Sequence, residues 1–248
     1  VMGPTDVLED LFIVNYLMRM NGGPSFLDDK VILGCMNRGG LAGTVWEMDD
    51  RMTSFTAESI ARLGLDGAKI MFRLDPDNAD SLAAIDYCAQ AVTAMNSYGL
   101  PTFIEPLPVK KQGGRYGTIK DANELARIAG VASALGDSST TVWLKLPYAT
   151  NYEIVANSTT LPILMLGGAA KGDPTPTMNE FAEGIHAGGN VRGALVGRNV
   201  LYPGDDDPMA VAMAVHGIIH EGLSGEEAVD RLMEVRGQNM DALSKYIK

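Results

Sequence analysis

Short apolar runs of strand length, each followed by a polar or glycine-rich loop and then by a segment with helical spacing, recur along the whole chain. Apolar runs lie at 31–36 (VILGCM), 68–74 (AKIMFRL), 101–106 (PTFIEP), 141–147 (TVWLKLP), 162–167 (PILMLG) and 193–197 (GALVG). Helical spacing covers 6–20, 56–63, 79–98, 122–135, 178–187, 207–221 and 225–246. Strands apolar on both faces belong in a parallel sheet covered by helices, so the alternation predicts an α/β fold. A (β/α)8 TIM barrel is favoured over a doubly wound sheet because polar or glycine residues end several different strands: Asn37 and Arg38, Arg73, Glu105, Lys145, Gly167 and Gly168, Gly197 and Arg198. A dinucleotide-binding sheet would want G-x-G-x-x-G between its first strand and helix, and none is placed there. The opening residues read as the tail of a strand entering a helix cap, which predicts a chain that begins within the barrel.

Length and composition narrow the picture. With 248 residues, 46% of them apolar, one domain spanning 1–248 is expected. A formal charge of −11 argues against nucleic acid as a partner, because phosphate-tracking surfaces are built from clustered Lys and Arg. No apolar run approaches a membrane span and no secretory leader is visible, so a cytoplasmic protein without a membrane partner is expected. A homo-oligomer is also expected. Cys35 and Cys88 lie far apart and read as small buried residues rather than a disulfide or metal pair.

Lys145 lies inside an apolar strand, on the same side as Trp143 and Pro147 by strand alternation. Burial of an amine favours its neutral form, which can attack a carbonyl and form a Schiff base. Pairing with a neighbouring carboxylate is the structural alternative. Glu105 ends another strand, where it could move protons or simply pair with Lys69. Lys69 shares strand parity with Met71 and Arg73; it could stand beside Lys145 and favour the free amine further, or only neutralise Glu105.

The two glycine-bearing ends, Gly167-Gly168 and Gly197-Arg198, are more informative together. Barrels commonly hold phosphate with the loops after strands seven and eight, where glycine allows close backbone approach and an arginine adds charge-assisted hydrogen bonds. Asn37 and Arg73, at other strand ends, are further candidates for substrate contact. His186, His216 and His220 fall in helical segments, and two at i, i+4 spacing are too few ligands, so no metal is expected.

The order of these motifs resembles the class I, Schiff-base aldolases of the archaeal-type fructose-bisphosphate and deoxyribose-phosphate aldolase superfamily. The carrying motifs are a strand with Lys145, then PILMLGG, then GALVGRN. The resemblance implies that Lys145 is the imine lysine on strand six, with Gly167, Gly168, Gly197 and Arg198 in the phosphate loops. The run around Lys69 and the run ending in Glu105 are similar to the fourth and fifth strands of tagatose-bisphosphate aldolases, where lysine and glutamate accompany the imine lysine. MNRGGLAG and WLKLP resemble an aldolase-like family found with inositol-degradation enzymes. Counting strands back from Gly197 leaves the first barrel strand, which in the superfamily carries an aspartate, outside the chain. The superfamily's strand-five tyrosine is not matched. Together these imply a cofactor-free aldolase acting on a small phosphorylated sugar. A non-catalytic sugar-phosphate-binding barrel and a barrel isomerase or epimerase remain as other readings.

Overall fold

A computed structural model describes residues 1–38, 48, 50–170, 172–237 and 246. The chain divides into two compact units. The first comprises Val1–Ile119, Val131–Trp143 and Asp241–Lys248; the second comprises Lys120–Gly130 and Leu144–Met240.

In the first unit, β1 (Met2–Gly3) leads into α1 (Thr5–Met20), β2 (Leu33–Cys35) is followed by α2 (Ala57–Arg62), and β3 (Gly67–Leu74) by α3 (Ser81–Ser97). Next comes β4 (Thr102–Gln112). These strands are parallel, with Met2 opposite Leu33, Cys35 opposite Lys69, and β3 matched to β4 from Ala68–Thr102 to Leu74–Pro108. Ile70 and Phe72 of β3 and Ile104 of β4 are fully buried. Each such side chain contributes roughly 1.5–3 kcal/mol through removal from water. On α3 the buried residues Ala84, Cys88, Ala91, Val92 and Met95 form one stripe at helical spacing. A reciprocal Thr56–Ser59 capping box starts α2. Burial pushes the Cys88 thiol up to about 12, with the Asp50 charge adding to the shift.

The strand expected to stop at residue 106 runs on to Gln112 and turns back as β5 (Arg115–Thr118), antiparallel to β4. Gln112 pairs with Arg115, and the two residues between them, Gly113 and Gly114, have φ of 55° and 83°. Two successive positive φ values are what a tight hairpin turn matching the right-handed strand twist requires, and glycine adopts them without strain. The ribbon is fastened at its base. Lys110 pairs with Asp77, and Asn78 Nδ2 donates to the Tyr116 hydroxyl at 2.6 Å.

The second unit contains most of α4 (Ala122–Ser133) and of β6 (Val142–Pro147), then α5 (Tyr152–Ala156), β7 (Ile163–Leu166), α6 (Thr175–Gly184), β8 (Val191–Leu195), α7 (Arg198–Leu201), α8 (Pro208–His216) and α9 (Gly225–Val235). β6, β7 and β8 are parallel, with Lys145 opposite Leu164 and Leu166 opposite Leu195. Asp207 caps α8 by accepting from the Met209 amide, and Pro208 supplies the first helical residue. The expected helix over 207–221 is α8 followed by a π-turn at Gly217–Glu221. A Ser224–Glu227 capping box starts α9, which is shorter than the expected helix over 225–246; residues 238–245 of that expectation lie outside the described residues. Gly197 stands in a loop rather than in the expected strand over 193–197. No described helix is long and apolar enough to cross a membrane.

Candidate active site

Within the first unit, adjacent strands bring Lys69 and Glu105 together. Met71 is opposite Glu105, so Lys69 lies diagonally one pleat away on the same face. Lys69 Nζ stands 2.7 Å from Glu105 Oε2, and both side chains are less than a tenth exposed. A lone charge so buried would cost several kcal/mol, and each ion here compensates the other. Phe103 stacks on Trp143 with ring centroids 5.5 Å apart, adding aromatic cover to the Glu105 side of β4. This geometry sets a carboxylate and an amine within hydrogen-bond reach of one another in an apolar setting.

A second polar cluster lies at the ends of β2 and β3. Arg73 Nε reaches both Asp50 oxygens at 3.1 Å and its Nη2 reaches Oδ1 at 2.6 Å, while the Arg73 amide donates to Asp50 Oδ2 at 2.9 Å. Arg38 Nη1 lies 3.6 Å from the same carboxylate. Asn37 donates through Nδ2 to the carbonyls of Met71 and Asp50 and accepts the Met71 amide on Oδ1. Asn37 and Arg73, expected as substrate contacts, therefore use these groups to fasten strand ends. Asp50 organises the cluster and was not visible in the sequence, because it sits in an irregular segment and its partner is 23 residues away.

Lys145 belongs to the second unit and is only 7% exposed. Its strand neighbours Leu144 and Leu146 are fully buried on the opposite face. Just beyond β6, the Tyr148 hydroxyl donates to Glu183 Oε2. That hydrogen bond, then burial and the surrounding carboxylates, push the phenol up to about 12. Tyr148 thus keeps its proton at neutral pH and is a weaker acid than a free phenol.

Also in the second unit, the loops after β7 and β8 meet. Gly168 has φ of 71°, and a Cβ on Gly167 would stand 2.6 Å from Val196 Cγ2 and 3.2 Å from Asn199 Nδ2. Bare glycine lets the β8 loop press against the β7 loop. Asn199, almost wholly buried, donates from Nδ2 to the Gly167 carbonyl. Gly197 and Arg198 are exposed beside it. Of the four expected phosphate-loop residues, Gly167 is tied to the β8 loop through Asn199, which sequence reasoning missed, and Gly168, Gly197 and Arg198 are chain neighbours of that tie. Among the described residues, no group of three or more His, Cys, Asp or Glu side chains could hold a metal ion.

A family profile described as Cgl0159-like matches residues 1–216. Among solved structures, Cgl0159 from Corynebacterium glutamicum is 32% identical with a TM-score of 0.80, covering 90% of this chain and 71% of that one. An archaeal fructose-1,6-bisphosphate aldolase, solved with its catalytic Lys covalently bound to the carbinolamine intermediate of the substrate, has a TM-score of 0.60 at 17% identity, covering 85% of this chain and 84% of that one. An uncharacterized aldolase from Saccharolobus solfataricus is 29% identical over 137 residues, which are 54% of this chain and 47% of that protein. The chain thus spans about half the length of that curated relative. The strand–helix alternation in both units and these structural likenesses give the α/β, TIM-barrel fold class of the aldolases. By the profile over most of its length and by its likeness to the Corynebacterium protein, the chain belongs to the Cgl0159-like family.

Proposed function

We propose that the chain forms the catalytic barrel of a class I aldolase that cleaves a phosphorylated keto sugar or sugar acid reversibly. The observation that carries this reading is a lysine, Lys145, buried at 7% exposure on a parallel strand, in a chain sharing its fold with an aldolase that works through a covalently bound lysine. In the proposed reaction Lys145 Nζ adds to the substrate ketone, and loss of water gives a protonated imine. A base removes the proton of the hydroxyl on the far carbon of the bond to be broken, the carbon β to the iminium. The C–C bond then breaks, its electron pair flows into the iminium to give an enamine, and an aldehyde leaves. Protonation of the enamine carbon and hydrolysis of the imine return the free lysine. Glu105, held by Lys69, is assigned the proton transfers.

The substrate phosphate is assigned to the Gly167-Gly168 and Gly197-Arg198 loops. Supporting this is their mutual packing and the permissive backbone at Gly167 and Gly168. Among substrates, the motif resemblance favours 2-deoxy-5-keto-gluconate 6-phosphate, giving dihydroxyacetone phosphate and malonate semialdehyde in inositol catabolism. A cytoplasmic homo-oligomer accompanies that proposal. The reading is tested by borohydride reduction in the presence of dihydroxyacetone phosphate, followed by peptide mass mapping. Label on the peptide carrying Lys145 is expected; label of equal yield in Lys145→Ala would refute the assignment.

A further inference from the structure

Asn199 has no assigned part in the reaction proposed above, yet its side chain is almost wholly buried where two loops meet. Its Nδ2 donates to the carbonyl of Gly167, 32 residues earlier in the chain, at the end of β7. The contact is reinforced sterically, since a Cβ at Gly167 would strike Val196, three residues before Asn199. Leu166 and Leu195 are opposite one another in the sheet, so both loops leave neighbouring strands at the same level. Beyond that level the Asn199 amide ties the two loops together.

An oxyanion gripped by backbone N–H groups from two loops is sensitive to their spacing, because a hydrogen bond weakens steeply once its distance or angle departs from the optimum. A tie that fixes the spacing lowers the ordering cost of binding. We infer that Asn199 is a positioning residue that sets the gap between the β7 and β8 loops for the phosphate group of the substrate. It acts on the ligand only through Gly167 and need not touch it. The inference rests on the phosphate-loop reading above.

Asn199→Asp keeps the size and shape of the side chain but replaces the donating amide by a carboxylate facing the Gly167 carbonyl. Asn199→Ala removes the tie without adding charge. The full chain and both variants are titrated calorimetrically with inorganic phosphate, and their thermal unfolding is followed by circular dichroism without phosphate. The expected result is phosphate affinity at least ten-fold weaker in both variants at a temperature where both remain folded. Variants that bind phosphate within two-fold of a phosphate-binding parent overturn the role of Asn199 and leave the loops as the proposed site. A fall in melting temperature with unchanged phosphate affinity assigns Asn199 to stability alone and also overturns it. A parent that binds no phosphate refutes the loop reading itself, and the inference falls with it.

Discussion

Replacing Glu105 by leucine would strand the Lys69 ammonium in the interior of the first unit. At an effective dielectric of about 20, opposite charges 2.7 Å apart attract by roughly 6 kcal/mol. Desolvation of two ions, at several kcal/mol each, offsets much of this, so the intact pair is worth little net. Removal of one partner is different, because the remaining ion keeps its desolvation penalty and loses its attraction. Glu105→Leu should therefore destabilise by about 3–5 kcal/mol, whereas Lys69→Met with Glu105→Leu should recover most of the loss. For a protein of this size each kcal/mol moves the melting temperature by roughly 2–4 °C, so the single variant should melt about 6–20 °C lower. Urea unfolding of the parent, both single variants and the double variant closes a cycle, with an expected coupling of 2 kcal/mol or more. A Glu105→Leu variant as stable as the parent, or a double variant as damaged as the sum of its singles, would refute the pairing argument. On the aldolase reading proposed above, the double variant should also lack aldol cleavage, since stability returns but the proposed proton-transfer group does not.

Other expectations concern parts of the chain away from that pair. Asp50→Asn leaves the buried Arg73 guanidinium without its carboxylate and should cost about 3–5 kcal/mol in chemical unfolding. Ser224→Ala removes the oxygen that accepts the Glu227 amide and should cost about 1 kcal/mol. The bond from the Ser224 amide, and then its hydroxyl, hold the Glu227 carboxyl below the ordinary carboxylate range. The folded form therefore binds that proton less readily than the unfolded one, and the contribution is complete above the ordinary value and lost as pH falls through the lower one. Stability measured from pH 6 to pH 3 should decline less in Glu227→Gln than in the parent. Tyr148 should ionise near pH 12 in ultraviolet titration, and Glu183→Gln should bring one phenol back toward 10. An unchanged titration curve would refute that link.

What could be read from the sequence followed from how local each signal is. The long strands β3 and β6 announce themselves as continuous apolar runs, and period-two alternation put Lys69 and Glu105 within pairing reach. The expected strand over 101–106 stops short of the end of β4, because Pro106 and Pro108 cannot donate to a ladder and usually mark a strand's end or edge. Gly113-Gly114 carried the hairpin signal that those prolines masked. α5 and α7, with five and four residues, are too short for a 3.6-residue period to show. The partnerships of Asp50 with Arg73 and of Asn199 with Gly167 are contacts across 23 and 32 residues, made by single side chains outside any periodic pattern. Periodicity reveals which face a residue occupies, and it is silent about which loop will reach across to it.

The cysteine buried on α3 gives the first unit a built-in gauge of its own breathing. A thiol attacks a disulfide reagent as its thiolate, and Cys88, 1% exposed and pushed up to about 12, offers neither access nor charge while α3 stays packed. Its modification must wait for the helix to lift from the sheet. When reclosing outpaces the reagent, the labelling rate is the intrinsic thiol rate multiplied by the fraction of time spent open, as in amide hydrogen exchange but reported from one known depth. Because Cys88 shares its stripe with Ala84, Val92 and Met95, that single rate reads the cohesion of the packing layer on which β3, with its lysine, depends.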